Sequence, residues 1–275
     1  MSTVLERFAL DNKVVIITGG CGLLGRKHAE AVMESGGTAV LWDIVPDADR
    51  RARDAGAAFP DRCAGMQVDI TNPESIATAL AKVLNRFGRV DALINNAAND
   101  PKVSKEQGFS WSRFENFDRT MWDNDIAVGL TGAFLCSQAV GAHMAAHGGG
   151  VILNIASDLG VIAPDQRIYR QDGLADAEQP VKPVTYSVVK HGLVGLTKYM
   201  ATYWADQGVR VNALSPGGVR TNQPDDFVER LTNLIPMGRM AGVDEYKGAV
   251  LFLISEASSY MTGANLSVDG GRTTW

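Results

Sequence analysis

A single α/β domain built on one parallel sheet, doubly wound with helices on both faces, is the fold this sequence predicts. Two observations predict it. Short apolar runs alternate with amphipathic stretches from one end of the 275 residues to the other, the order that a sheet packed between two helix layers requires. Most of those runs are nearly continuous in hydrophobicity, as parallel strands covered on both faces are. No internal repeat, low-complexity segment or composition shift marks a linker, so residues 1–275 read as one domain.

The elements follow in order. VVIIT (14–18) is the first strand, and a glycine-rich turn leads from it into a helical pattern over 23–35. AVLW (39–42) is the next strand. Asn72 and Pro73 then open a helix over 74–87, as N-cap and first-turn proline. ALIN (92–95) precedes a long helical pattern over 118–146, and VILNI (151–155) precedes another over 185–206. VRVNAL (209–214), a helix over 244–255 and the strand NLSV (265–268) complete the series.

Composition narrows the function. Hydrophobic residues make up 45% and charged residues 21%, the balance of a globular protein. A net charge of -5 argues against nucleic acid or an anionic membrane as the main partner. The N-terminal MSTVLERFALDNK carries charges and no apolar signal core, and no uninterrupted apolar run approaches the ~20 residues of a membrane helix. Cys21, Cys63 and Cys136 are odd in number and widely spaced, which points to reduced thiols in a cytoplasm. His143 and His147 stand four apart with no glutamate between them and Gly148, Gly149 and Gly150 directly after. They read as helix-end histidines, and no metal site is expected.

The turn after the first strand runs from Thr18 through Gly19, Gly20, Cys21, Gly22, Leu23 and Leu24 to Gly25. Strand, glycine turn and helix together make a Rossmann-type dinucleotide cradle. Its backbone N–H groups approach a pyrophosphate, which sits at the positive end of the helix. Cofactor contacts are expected from Gly19, Cys21, Gly22, Leu23, Leu24 and Gly25. Asp43 ends the second strand 25 residues after Thr18, with Ile44 beside it. An acid there accepts hydrogen bonds from the ribose hydroxyls and repels a 2′-phosphate, favouring NAD(H) over NADP(H). Arg26, just after the loop, is a mild opposing sign. Farther on, Tyr186 and Lys190 stand one helical turn apart, so that their heads can meet.

With loop, acid and the Tyr186/Lys190 pair in this order, the chain resembles the short-chain dehydrogenase/reductase family over residues 9–272. Further motifs agree: Asp69 in MQVDIT, the run Asn95, Asn96, Ala97, Ala98, Ser157 in NIASDLG, Pro216 and Gly217 with Thr221 in LSPGGVRT, and YMTGANLSVDGG. The resemblance implies an NAD(H)-dependent oxidoreductase of a small-molecule substrate, interconverting a secondary alcohol and a ketone. It also implies a homotetramer built through helices 118–146 and 185–206. By resemblance Tyr186 is the acid/base, Lys190 its tuner and an anchor for the nicotinamide ribose, and Ser157 the donor that holds the reacting oxygen. A free phenol titrates near ~10, and the lysine ammonium is expected to lower it. Asp69 and Ile70 would hold the adenine, and Asn96, Ala97, Ala98, Pro216, Gly217, Val219 and Thr221 would contact the cofactor. Asn95 resembles a support of the central strands. Two readings from other classes stand beside this one: a dinucleotide-binding sensor or scaffold without turnover, and an epimerase or dehydratase that oxidises its substrate only transiently.

Three departures from the family pattern matter. Leu23 replaces a loop glycine of common members. Gly129 stands where they carry an asparagine that holds a water beside the lysine, so the proton relay is expected to be altered, with the glycine serving close packing or a water. Restoring the asparagine is expected to change the pH profile more than cofactor affinity. Finally, Ser157 and Tyr186 are 29 residues apart, more than is usual, leaving an insertion at about 161–183 beside the site. Inserted loops near a site usually shape specificity. Its Arg167, Arg170 and Lys182, with Tyr169, are candidates to bind an anionic group on the substrate. The insertion resembles a branch linked to flagellin and surface-polysaccharide modification, which points to a sugar or nucleotide-sugar substrate. Residues 219–240 read as a lid over bound cofactor. Phe109, Trp111, Phe114 and Phe117, within 99–117, either cover the pocket or anchor their loop.

Overall fold

The structure, a computed structural model, describes residues 3–101, 103 and 108–275; residues 102 and 104–107 of the expected pocket loop lie outside them. Seven parallel strands form one sheet: β1 (Val14–Thr18), β2 (Thr38–Asp43), β3 (Cys63–Gln67), β4 (Ala92–Asn95), β5 (Gly150–Ile155), β6 (Val209–Pro216) and β7 (Asn265–Val268). Their order across the sheet is β3-β2-β1-β4-β5-β6-β7. The winding direction reverses between β1 and β4, and in open sheets of this kind ligands bind outside the carboxyl ends of the strands at that point.

All six expected strands are present. The seventh, β3, escapes a hydrophobic-run reading because CAGMQ has no β-branched residue. It is an edge strand, paired only on one side, from Ala39↔Cys63 to Asp43↔Gln67. Gly65 within it lets the short helix α2 (Ala48–Ala55) lie almost on its backbone. That helix also lacks an apolar stripe, since ADRRARDA buries only Ala48 and Ala52.

Alternate residues of the central strands serve two cores. Val15, Ile17, Leu41, Ile94 and Leu153 pack with Val32 and Met33 of helix α1 (Leu23–Glu34). Ile16, Val40, Trp42, Leu93 and Ile152 pack on the other face, against Ile76 and Val83 of α3 (Pro73–Phe87). Asn72 caps α3 as expected: its Oδ1 accepts from the N–H groups of Glu74 at 2.9 Å and Ser75 at 3.4 Å.

The long helical pattern resolves into α4 (Arg119–Ile126), a π-turn (Ala127–Thr131) and α5 (Gly132–Ala146). By length and composition Arg119–Ala146 is apolar enough to cross a membrane, yet Cys136, Val140 and Met144 are packed into the second core. Gly129 lies in the π-turn. A Cβ there would sit 2.6 Å from Cγ1 of Val189, a residue of helix α6 (Val184–Tyr203). Of the two uses expected for this glycine, the structure has close packing. The expectation for an asparagine at 129 changes accordingly: beside Val189 the side chain does not fit. Helices α7 (Asp225–Thr232) and α8 (Lys247–Ile254) complete the fold; α7, in the expected lid, was not foreseen as a helix.

Candidate active site

Two adjoining cavities open at the carboxyl ends of the strands, sharing Asn96 and Ala98. A larger one, about 1220 Å³, lies at the opposite ends of the strands among Lys13, Asp91 and Arg210, with His143 and His147, and holds none of the residues assigned to cofactor or catalysis.

The first of the adjoining pair, about 490 Å³, is lined by Gly19, Gly22, Asp43, Ile44, Asp69, Ile70 and Ala97. Its floor is tied together by the backbone. Thr18 Oγ1 accepts from the N–H groups of Asn96 at 3.0 Å and Ala97 at 3.1 Å, while Asn96 Nδ2 donates to the carbonyls of Thr18 and Gly19. Gly19 has φ 60 and lies against Ala97, where a Cβ would come within 2.8 Å of its Cα. Only glycine meets both demands. Asp43 braces the loop, accepting from the N–H of Cys21 at 2.9 Å and, more weakly, that of Val45 at 3.3 Å. Arg26 turns back onto the loop, its Nε donating to the Cys21 carbonyl at 2.9 Å. Asp69 Oδ1 accepts from Thr71 N and Oγ1.

Two of the expected cofactor contacts line neither cavity. Cys21 is buried with its sulfur toward Ala48, and burial pushes its thiol up to about 11. Gly25 lies directly beneath Gly19, where a side chain would meet that backbone. Both shape the loop from behind.

The second cavity, about 550 Å³, brings together Leu23, Leu24, Ser157, Tyr186, Lys190, Pro216, Gly217, Val219 and Thr221. Ser157 arrives at the end of β5, and Tyr186 and Lys190 from the first turns of α6. Lys190 Nζ donates to the Ile155 carbonyl at 2.8 Å and lies 5.7 Å from the Tyr186 ring centre. Burial lowers Lys190 to about 8. Burial also raises the Tyr186 phenol above its usual range, against a hydrogen bond with Ser157 and the more distant Arg272, both of which lower it; the charges of Asp100 and Asp158 add to the rise. The lowering expected from Lys190 does not appear among these influences, and desolvation leads. Asn95, below, donates from Nδ2 to Asn154 Oδ1 at 2.8 Å and to Ser137 Oγ at 2.9 Å, locking β4 to β5.

Three charged residues at this site were not singled out from the sequence. Asp158, next to Ser157, forms a buried ion pair with Arg272 at 2.7 Å. Asp100 pairs with Lys182 at 2.7 Å, and that lysine lies 3.9 Å from the Tyr186 ring centre. A charge directly after Ser157 in NIASDLG was the one local signal. Of the insertion's candidate anion binders, Lys182 and Tyr169 line the cavity, whereas Arg167 and Arg170 are exposed and pair with Asp165 and Asp176. The insertion packs against α7 and the segment after it through Ile168, Leu231, Ile235 and Met240. Phe109 also lines this cavity. Trp111 packs on Phe117, with ring centres 6.3 Å apart, and Phe114 is exposed.

Comparison with known proteins agrees with this geometry. Residues 13–169 match the family model described as short chain dehydrogenase, and residues 175–273 that described as Enoyl-(Acyl carrier protein) reductase. An NAD-dependent glycerol dehydrogenase of Listeria innocua is 33% identical over 97% of this chain and 96% of its own. A D-threitol dehydrogenase of Mycolicibacterium smegmatis is 34% identical over 97% and 95%. Among solved structures, a short chain dehydrogenase from Leptospira borgpetersenii with bound NAD+ superposes with a TM-score of 0.82 at 33% identity, covering 99% of this chain and 96% of that one. With its glycine loop, its Ser157, Tyr186 and Lys190 at one cavity and its parallel sheet, the chain belongs to the short-chain dehydrogenase/reductase family of oxidoreductases.

Proposed function

We propose that this protein is an NAD(H)-dependent dehydrogenase of small polyols, interconverting a secondary alcohol and its ketone. The observation that carries the reading is the second cavity. Its 550 Å³ must take the nicotinamide end of the cofactor as well as the substrate, which leaves room for a small molecule and not for a nucleotide sugar. Of its cations, Lys182, Arg230 and Arg272 each already hold a carboxylate at 2.7 Å, and Lys190 is bound to the Ile155 carbonyl. Paired charges offer donors and acceptors side by side, which suits a chain of hydroxyl groups better than a second anion. Relatives named for glycerol and D-threitol support the same class.

The bound dinucleotide supplies a hydride acceptor or donor. The residues do the rest. Tyr186 exchanges the proton of the substrate oxygen, Ser157 orients that oxygen, and Lys190 engages the ribose. The glycine loop holds the pyrophosphate, and Pro216, Gly217, Val219 and Thr221 border the nicotinamide. NAD(H) is favoured over NADP(H) because the carboxylate of Asp43 faces the adenosine cavity while Arg26 is committed to the loop carbonyl; relatives of both cofactor types occur. Phe134, Val188, Tyr199 and Tyr203 are exposed on α5 and α6, and they support a homotetramer assembled on that face. The buried free thiols suit a cytoplasmic protein. Residues 219–240 act as a lid.

The test is an assay of NAD⁺ and NADP⁺ reduction with glycerol, D-threitol, mannitol, galactitol and a nucleotide sugar. Turnover with polyols and NAD⁺ is expected, and Tyr186→Phe should lower kcat at least about 10²-fold while NADH binding persists. Nucleotide-sugar turnover, or a Tyr186→Phe enzyme of normal kcat, would overturn the reading.

A further inference from the structure

We propose that Asp158 and Arg272 give this chain its own exit for the reaction proton, running from Tyr186 through Ser157 to Asp158. The proposal rests on the reading of Tyr186 as the acid/base.

The helix side of the site offers no polar group at the position where a relay asparagine would stand. Gly129 is there, and the space beside it is filled by a methyl of Val189. Lys190 spends one donor on the Ile155 carbonyl. The opposite side is built differently. Ser157 Oγ donates to Asp158 Oδ1 at 2.7 Å, and the N–H of Leu159 reaches both Ser157 Oγ and Asp158 Oδ1. The serine proton therefore points to Asp158, which leaves its oxygen free to accept from Tyr186, whose phenol lines the same cavity. Asp158 Oδ2 in turn accepts from Arg272 Nη1 at 2.7 Å. Asp158 is 3% exposed and Arg272 6%, yet both line the cavity. A buried ion pair is weak evidence for stability. At this place it serves another purpose: it keeps an ionised acceptor one hydroxyl away from the reacting tyrosine. Arg272 also has Nε buried with no hydrogen-bond partner among the described residues, so its orientation is set by Asp158.

The protons balance. When an alcohol is oxidised, its hydride reduces the nicotinamide dinucleotide and its hydroxyl proton passes to Tyr186. Tyr186 then gives a proton to Ser157 Oγ as Ser157 gives its own to the Asp158 carboxylate, and Asp158 releases it to water in the cavity. Each O–H bond broken is matched by one formed. Besides Ser157 and Tyr186, Arg272 after β7 is bonded to Asp158, and Tyr169 of the insertion and Tyr246 before α8 are near enough to feel its charge.

The experiment compares Asp158→Asn with the native enzyme in oxidation of D-threitol by NAD⁺. Steady-state turnover should fall by about 10–100-fold, while the first turnover, read as a burst of NADH, keeps its rate. Imidazole should restore part of the steady state, and Gly129→Asn/Val189→Ser on that background should restore more. Should Asp158→Asn fail to fold with Arg272 unpaired, Asp158→Asn/Arg272→Gln takes its place. A readout that needs no substrate is the titration of ¹³C-labelled Tyr186 in the protein alone: Asp158→Asn should lower its midpoint and Arg272→Gln should raise it. An unchanged midpoint in both overturns the proposal, as does an unchanged steady state or a first turnover slowed equally. Full activity of Tyr186→Phe would instead remove the acid/base reading on which it stands.

Discussion

Lys190 is held in a place that opposes its charge, and that has a measurable consequence. Burial lowers it to about 8 from an ordinary 10.5, so the folded protein binds its proton less tightly than the unfolded chain does. The sign follows from linkage. Above the ordinary value both states are neutral and nothing is lost; as pH falls through 10.5 toward 8 the unfolded state gains a proton first, and native stability declines, by about 3 kcal/mol once both are charged. Lys190→Met removes this dependence. The melting temperature of the variant should therefore gain on that of the native protein between about pH 10.5 and pH 8 and stay parallel below, whatever the cost of the lost hydrogen bond to Ile155. Parallel curves throughout would mean that the ammonium is solvated in the folded state. Ser157, Tyr186 and Lys190 were legible in the sequence because they stand in motifs that resemble the family's, in the family's order; the one-turn spacing of the last two would not have sufficed alone. Arg272 was not. Its partner Asp158 is 114 residues away, and a buried ion pair across that separation leaves no local pattern.

At the scale of elements, the π-turn between α4 and α5 and the facing part of α6 form a matched pair. Gly129 alone looks like a lost polar residue; with Val189 against it, it is one half of an apolar contact. Gly129→Asn should destabilise the protein by about 1–3 kcal/mol through overpacking, with NADH affinity falling as α6 shifts. Gly129→Asn/Val189→Ser should recover most of that stability, and thermal unfolding of the four members of the cycle measures the coupling. Additivity of the two changes would show that the contact is slack. The sequence exposed the helices that carry an apolar stripe or a cap, such as α3 behind Asn72 and Pro73, and the strands that run apolar through the sheet. It concealed β3, α2 and α7, whose stability comes from what they are placed against: Gly65 under α2, or Leu231 of α7 against Ile168 of the insertion. Their own residues give little sign of it.

Across the whole molecule, two segments far apart in the chain pack together beside the cavity, in the region proposed as a lid. The insertion brings Ile168 and Tyr169, and the segment after β6 brings Phe227, Leu231, Ile235 and Met240. Tyr169 and Phe227 rings lie 5.5 Å apart, and Arg230 Nε donates to the Ile168 carbonyl at 2.9 Å. Each half alone lacks a core, so neither half opens without exposing the other's apolar residues. If the region is the proposed lid, the pair should therefore open as one unit, in the way that small cooperative units do. Phe227→Ala is the change that separates them with least effect on the sheet, since the ring is only half-buried. Hydrogen exchange should quicken together in residues 161–183 and 219–240 while β1, β4 and β5 keep their protection. The KM for the polyol should rise on the order of tenfold, with kcat changed in step as expected for a closing segment. Faster exchange confined to 219–240 would mean that the insertion is a fixed wall of the pocket, and that only the helix α7 side moves.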